Sequence, residues 1–81
     1  MLKQNRVYRF DPPIEAAGAC GEGEKEHIYP RMRFPIGLCI ENRGHTYKFI
    51  SQVGGHRYTF FAHPEKSGHH ITEIGEPINE D

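Results

Sequence analysis

Histidine is frequent in this chain, and it is the side chain best suited to chemistry near neutral pH. Six of the 81 residues are histidine, and five of them lie between His45 and His70. Two imidazoles that converge could bind a metal ion, but zinc requires four tetrahedral ligands, which proteins usually supply in tight pairs such as Cys-x2-Cys. The spacing around the turn that follows His63 is not of this kind, so we expect exposed or partly packed histidines and no bound metal or other cofactor. The candidate ligands are His63, His69, His70 and Cys39.

A histidine beside an arginine could instead cleave a phosphodiester bond, a reaction that needs two suitable groups around one phosphate. Arg57 and His63 share a face of a predicted strand but lie six residues apart, so they would reach only an extended ligand. The sequence contains no nucleophile elbow, phosphate-binding loop or catalytic carboxylate pair. A non-catalytic protein is therefore favoured, and a metal-binding or phosphodiester-cleaving protein is the second alternative.

The element that must position these residues is a predicted β-hairpin over residues 45–63. Two runs rich in aromatic and β-branched residues meet at Gly54-Gly55, a pair typical of a two-residue hairpin turn. With this turn, Phe49 lies opposite Phe60. Because side chains alternate between the two faces of a strand, one face is mostly apolar and should form the core. Its inward rings are those of Tyr47, Phe49, Tyr58 and Phe60.

Three further strands are predicted around the hairpin, which gives about five strands. Residues 6–10 form the first and end at the prolines that follow, since proline lacks the amide proton that a ladder needs. Residues 34–41 form the second strand and residues 69–74 the last. This order is typical of an all-β, small antiparallel meander curled into an SH3-like or open barrel. The whole chain, residues 1–81, is then a single domain.

The alternation in residues 34–41 also predicts which side chains enter the core. Burial of apolar area favours the register that places Leu38 beside Phe49. The inward residues are then Phe34, Ile36, Leu38 and Ile40. Residues 11–33, which are rich in glycine and charge, predict a long loop that is either functional or mobile. Residues 75–81 predict an acidic tail.

Composition indicates a small intracellular protein. A chain of this length buries only about 60–65% of its surface on folding, so five Phe and four Tyr must supply most of the core. The two cysteines, Cys20 and Cys39, are fewer than a small secreted domain usually contains. No segment approaches the ~18 apolar residues of a membrane span, and no signal-peptide pattern is present. We therefore expect a cytoplasmic protein with reduced cysteines and no membrane partner.

The outward face of the hairpin carries the residues expected to bind a partner, which are Lys48, Ile50, Arg57, Phe61 and His63. Outward Ile50 and Phe61 need a cover, which the segment 11–33 or a partner could supply. A protein partner is favoured over nucleic acid, because the net charge is −1 whereas nucleic-acid-binding domains are usually strongly basic. The alternative face for nucleic acid, with bases stacked on an aromatic ring, would use Arg31, Arg33, Arg43, Lys48 and Arg57.

These observations predict a non-catalytic binding module of the accessory or inhibitor type. A free strand edge at Phe34–Glu41 could also pair with a second copy of the chain. Either a monomer or a homodimer through that edge strand is therefore expected. The sequence contains no motif specific enough to name a family.

Overall fold

The computed structural model describes residues 2–22 and 25–75, and its regular elements are all β-strands. Along the chain they are β1 (Arg6–Glu22), β2 (Lys25–Asn42), β3 (Tyr47–Val53), β4 (His56–Ala62) and β5 (His70–Gly75). They form one antiparallel sheet in the order β2-β3-β4-β1-β5, and β2 also pairs with β1. The sheet therefore closes into a ring from β1 to β4, and β5 adds to the first part of β1. The predicted five-stranded, all-β meander is confirmed.

The predicted hairpin is confirmed as β3 and β4. Its register is the expected one, with Phe49 opposite Phe60. Gly54 and Gly55 have φ values of 59° and 83°, which is the left-handed conformation that this type of hairpin turn requires and that glycine adopts without a steric cost. All four rings predicted to point inward are buried.

Aromatic rings from four strands fill the interior. The ring of Phe60 stacks on Phe34 at a centroid distance of 4.1 Å and contacts Phe49 at 5.2 Å. Phe10 meets Phe49 edge-on, also at 5.2 Å. Such pairs contribute about 0.5–1.5 kcal/mol beyond the area they bury. The other buried members of the core are Leu2, Tyr8, Ile14, Cys39, Tyr47 and Tyr58.

The segment 11–33 differs from the loop that the sequence predicted. Residues 11–22 continue β1, and residues 25–33 belong to β2 and pair with them. The prolines do not end β1, because they lie where the register shifts between Arg9 and Ile14. The ladder is interrupted there, so the amide protons that proline lacks are not required. The expectation of a long loop is corrected to a second hairpin, whereas the tail beyond Gly75 lies outside the described residues.

Strand β2 does not keep one alternation through residues 34–41. Phe34 is buried as predicted, but Ile36 is 39% exposed. The pairing of β2 with β1 shifts between these two residues, and the pairing with β3 shifts again after Cys39. The prediction that Ile36, Leu38 and Ile40 join Phe34 in the core is therefore wrong; Leu38 and Ile40 are half-buried outside it.

Gly37 and Cys39 hold the inward positions of this strand instead. Cys39 lies opposite Phe49 and is fully buried. A Cβ atom added to Gly37 would lie 3.2 Å from atoms of three rings, those of Phe10, Phe49 and Phe60. The rings thus occupy the space that an aliphatic side chain of β2 would need, and their packing decides the register.

The segment Phe34–Glu41 is covered on both sides at Leu38 and Cys39, whereas its residues before Leu38 pair with β1 alone among the described strands. Leu38 pairs with Val7 of β1 on one side and with Ile50 of β3 on the other. Strand β5, in contrast, pairs with β1 alone among the described strands. A homodimer through a strand edge stays a prediction, for which the first half of the predicted segment and β5 each offer an edge.

Candidate functional site

A row of mostly aliphatic side chains crosses the outer face of the sheet. Each member pairs directly with the next one on the neighbouring strand, and residues that pair in this way in an antiparallel sheet point to the same face. The row, which we call the outer row, consists of Val7, Leu38, Ile50, Thr59, Ala19 and Ile28. Ile28 is 70% exposed and the others are half-buried. The ring of strands thus presents an apolar band to the outside as well as an aromatic core to the inside.

A groove of about 380 Å³ borders the outer row between β4 and the second half of β1. It forms where the two strands separate: among the described residues, β4 pairs with β1 at Tyr58 and Thr59, and the ladder stops before Phe61. Small residues of β1 leave the space open. The side chains that line the groove are those of Ala17, Ala19, Ile28, Lys48, Thr59 and Phe61.

The ring of Phe61 stands beside this groove and is 47% exposed. The Nζ atom of Lys48 lies 5.9 Å from the ring centroid, and the Cζ atom of Arg43 lies 5.1 Å from it. Both distances fall in the range over which an aromatic ring attracts a cation. Arg43 is held in turn by Glu41, with 3.1 Å between Nε and Oε1. The exposed ring is therefore held in one orientation by its neighbours within the chain.

The structure brings together most of the residues predicted to bind a partner. Lys48 pairs directly with Phe61, and Ile50 is a member of the outer row. Arg57 is exposed on the same face, opposite Gln52, two residues along the strand from Thr59. These four side chains form one surface, with Arg57 at its rim.

His63, the fifth predicted residue, does not join them. Its ring packs on the inward ring of Tyr47 at a centroid distance of 5.0 Å, and its Nδ1 is buried without a hydrogen-bond partner among the described residues. Strand β4 ends at Ala62, so the alternation that predicted an outward His63 stops one residue too early. That placement is wrong, so Arg57 and His63 do not share the predicted outward face.

A polar contact closes the end of the core near His63. The Tyr47 hydroxyl donates a hydrogen bond to Oε1 of Glu65 at 2.5 Å and accepts one from the amide of Leu2 at 3.2 Å. Burial, followed by the bond to Glu65, raises the pKa of Tyr47. The bond from Tyr47 lowers the pKa of Glu65 below its ordinary range. This group ties Leu2 and the turn after β4 to the core, and it lies apart from the outer row.

The candidate metal ligands are separated from one another. Cys39 is buried in the core, where burial raises the pKa of its thiol. His69 lies with its Nδ1 2.6 Å from the carbonyl oxygen of Pro12, and His70 is exposed on β5. Within residues 2–22 and 25–75, no three side chains of the metal-binding types come close enough to hold an ion. The four candidates do not form a site.

Two of the five cations considered for nucleic acid are bound to carboxylates. The Nε atom of Arg33 lies 3.1 Å from Oε2 of Glu15, and Arg43 is paired with Glu41 at the same distance. Exposed pairs of this kind add little stability, but they reduce the charge available to a phosphate. The cations for which the described part of the chain provides no ion-pair partner are Arg31, Lys48 and Arg57.

Sequence reasoning identifies Ile50 of the outer row and Phe61 beside the groove, but it misses most of the side chains that surround them. Ala17 and Ala19 belong to a run of small residues in which the two faces of a strand look alike, so a period of two gives no signal there. Ile28 lies in the segment expected to be a loop. Only the pairing of Ala19 with Thr59 on one side and with Ile28 on the other places them on this face.

Comparison of the chain with protein-family models, curated proteins and solved structures gives no match. The part of the chain that the structure describes has no helix whose length and apolarity would let it cross a membrane. The outer row, the groove and the oriented Phe61 ring carry the functional inference.

Proposed function

We propose that the protein is a non-catalytic binding module that holds a protein partner against the outer row and Phe61. The supporting observation is the continuity of the apolar band across neighbouring strands, with Ile28 and Phe61 largely exposed. Single exposed apolar residues are ordinary on protein surfaces, whereas a contiguous patch with a polar rim is typical of an interaction site. A module of this kind serves as an accessory or inhibitor-type protein, which acts through contact and not through turnover.

The distribution of side chains on this face resembles that of a protein interface. Interfaces concentrate their binding free energy in a few central residues, often aromatic, that neighbouring contacts shield from water. Phe61 is suited to the central role because Lys48 and Arg43 already orient its ring. Arg57 on the rim would steer an acidic partner and adjust the association rate more than the affinity.

Nucleic acid is the alternative occupant of the same face, because bases stack on exposed aromatic rings. The affinity for nucleic acid grows with the number of phosphates that free cations neutralise. Arg33 and Arg43 are already paired with carboxylates, which lowers the affinity expected for nucleic acid. We keep protein as the proposed partner.

The proposed location is the cytoplasm. Cys20 and Cys39 are free thiols, which is the state that a reducing compartment maintains. A fluorescent fusion of the full chain should therefore fractionate with cytosolic markers, and recovery in a secreted or periplasmic fraction would contradict the proposal.

Photo-crosslinking from two positions of the hairpin tests the proposed function. A photoreactive amino acid replaces Phe61 in one variant and Val53 in the matched control. Both residues are exposed and apolar, but Val53 continues the inward series of Phe49 and lies at the turn. In lysate of the source cells, we expect a crosslinked protein from position 61 and none from position 53. The product should persist after nuclease treatment and in about 0.5 M salt, where exposed charges are screened.

Equal crosslinking from both positions would contradict a specific outer face. Loss of the product after nuclease treatment would favour nucleic acid as the partner. A steep loss with salt would point in the same direction, because displaced counterions drive nucleic-acid binding and contribute less to an interface with an apolar centre.

A further inference from the structure

We infer that the groove binds one large apolar side chain of the partner and that an acidic residue adjacent to that side chain pairs with Lys48. The inference rests on the proposed function, because it names the chemistry of the segment that the outer face holds. The occupant is an extended protein segment in which Asp or Glu stands next to Phe, Leu or Ile.

The size and lining of the groove fit a side chain better than a cofactor. Its volume of about 380 Å³ is near the lower end of the roughly 300–1,000 Å³ of small-molecule sites, and Ile28 and Phe61 in its lining are exposed to solvent. Small-molecule sites also present several convergent polar groups, whereas Thr59 and Lys48 are the polar side chains among the described residues that line this groove. An open, mostly apolar groove holds a side chain that remains attached to a larger partner.

The residues around the groove gain most from an apolar guest. Ile28 and Phe61 are 70% and 47% exposed, and both line the groove with Ala17 and Ala19. A guest that contacts Ile28 and Phe61 together removes apolar area of both from water, at about 25 cal/mol per Å². The alanines provide the room, since larger side chains at these two positions would occupy the same space.

Lys48 sets the charge preference of the occupant. Among the described residues that line the groove it is the one with a charge, and its Nζ lies 5.9 Å from the Phe61 ring. Glu41 is its neighbour across the ladder, but the Glu41 carboxylate is engaged by Arg43 at 3.1 Å. The net charge beside the groove is therefore positive. An acidic neighbour of the guest side chain is attracted to it, and a basic neighbour is repelled.

Titration of ¹⁵N-labelled protein with three capped tripeptides tests this inference. The probes are Asp-Phe-Asp, Asp-Ala-Asp and Lys-Phe-Lys, which separate the apolar requirement from the charge requirement. We expect Asp-Phe-Asp to shift the backbone amide resonances of Ala19, Thr59 and Phe61. Binding of each of the other two should be weaker by about tenfold or more, which corresponds to roughly 1.4 kcal/mol.

Variants isolate the two parts of the site. Lys48→Glu should reverse the preference in favour of Lys-Phe-Lys, whereas Ala17→Leu should fill the groove and abolish binding of all three peptides. Ala17 is exposed and Lys48 is half-buried on the outer face, outside the aromatic core, so the spectra should remain those of the folded protein. Arg57→Glu is the matched charge control, because Arg57 is on the same face but does not line the groove; it should leave the preference within about twofold, as expected for a screened, exposed charge.

Three outcomes would overturn the inference: equal binding of the three peptides, no shift of groove resonances at millimolar peptide, or an unchanged preference in Lys48→Glu. The crosslinks from position 61 are scored separately. Crosslinks combined with any of these outcomes would leave the proposed function standing and remove the groove chemistry alone. Absence of crosslinks would remove the proposed function itself.

Discussion

The substitution Gly37→Ala probes the packing of the core. The new Cβ atom would lie 3.2 Å from an atom in each of three rings, those of Phe10, Phe49 and Phe60. Carbon atoms attract one another best at about 3.5–4.0 Å, so all three contacts are too short. The rings are at most 2% exposed, and Phe60 is stacked on Phe34. None of them can withdraw without pushing on another.

The expected net effect of Gly37→Ala is a loss of stability. Overpacking a filled core costs about 1–3 kcal/mol. Alanine also lowers the entropy of the unfolded chain, which contributes about 0.4–1 kcal/mol of stability where the native backbone accepts it; Gly37 is not among the residues with positive φ. The free energy of unfolding should therefore fall by about 1–2 kcal/mol. For a domain of this size the melting temperature should fall by about 4–16 °C.

Urea unfolding followed by circular dichroism measures this effect in Gly37→Ala, Phe60→Leu and the double variant. Phe60→Leu removes ring atoms that face Gly37, so the double variant should lose less stability than the sum of the single variants. A coupling of about 0.5–3 kcal/mol is expected for residues in contact. A neutral Gly37→Ala variant, or strict additivity, would show that position 37 does not face these rings and that the register of β2 is wrong.

Other contacts of the core give measurable effects as well. Phe49→Ala should cost about 3–5 kcal/mol in the same urea assay, and a loss below ~1 kcal/mol would contradict its central position. Tyr47→Phe should cost about 1 kcal/mol. Because the bond from Tyr47 lowers the pKa of Glu65 from 4.5, that carboxylate stabilises the fold at neutral pH and loses its effect as the pH falls through its folded pKa. Unfolding measured between neutral pH and pH 3 should therefore depend less on pH in Tyr47→Phe, and an equal dependence would speak against the bond. Cys39 is fully buried and burial raises its pKa, so iodoacetamide should label Cys20 in the native protein and Cys39 only in urea; mass spectrometry showing equal rates would refute this burial.

The hairpin of β3 and β4 could be predicted because its signals are local. Gly54-Gly55 fixes the turn, and the turn fixes the pairing of Phe49 with Phe60. The inward and outward faces then follow from a period of two. His63 marks the limit of this reasoning, because the alternation ends with the strand at Ala62.

The longer strands β1 and β2 could not be predicted in the same way, since distant residues decide their course. Pro12 and Pro13 look like a strand end, yet they lie in a register shift that accepts them. Gly18 looks like a helix breaker or loop residue, yet an added Cβ would lie 2.9 Å from the ring of Phe34. Gly37 also faces inward, because the rings of Phe10, Phe49 and Phe60 fill the space that a side chain there would need. No window of the sequence shows which ring will fill the space beside a glycine.

The candidate site contains residues that a local pattern predicts and residues that only the pairing of distant strands brings together. Ile50 and Phe61 follow from the hairpin, and both lie on the predicted outward face. Ala19 and Ile28 reach that face only because β1 bends round the ring and pairs with β4. Residues of β1, β2, β3 and β4 all line the groove. The groove is thus a property of the closed ring and of no single strand.

The affinity of the crosslinked partner for three forms of the protein tests the outer face most directly. Calorimetry would compare the unmodified chain with Phe61→Ser and Val53→Ser, two substitutions of exposed residues that should change stability by less than about 0.5 kcal/mol. We expect Phe61→Ser to weaken binding about 30-fold or more, as for a central interface residue worth about 2 kcal/mol, and Val53→Ser to change the Kd less than about twofold. An unchanged Kd for Phe61→Ser, or an equal loss for Val53→Ser, would contradict binding through this face.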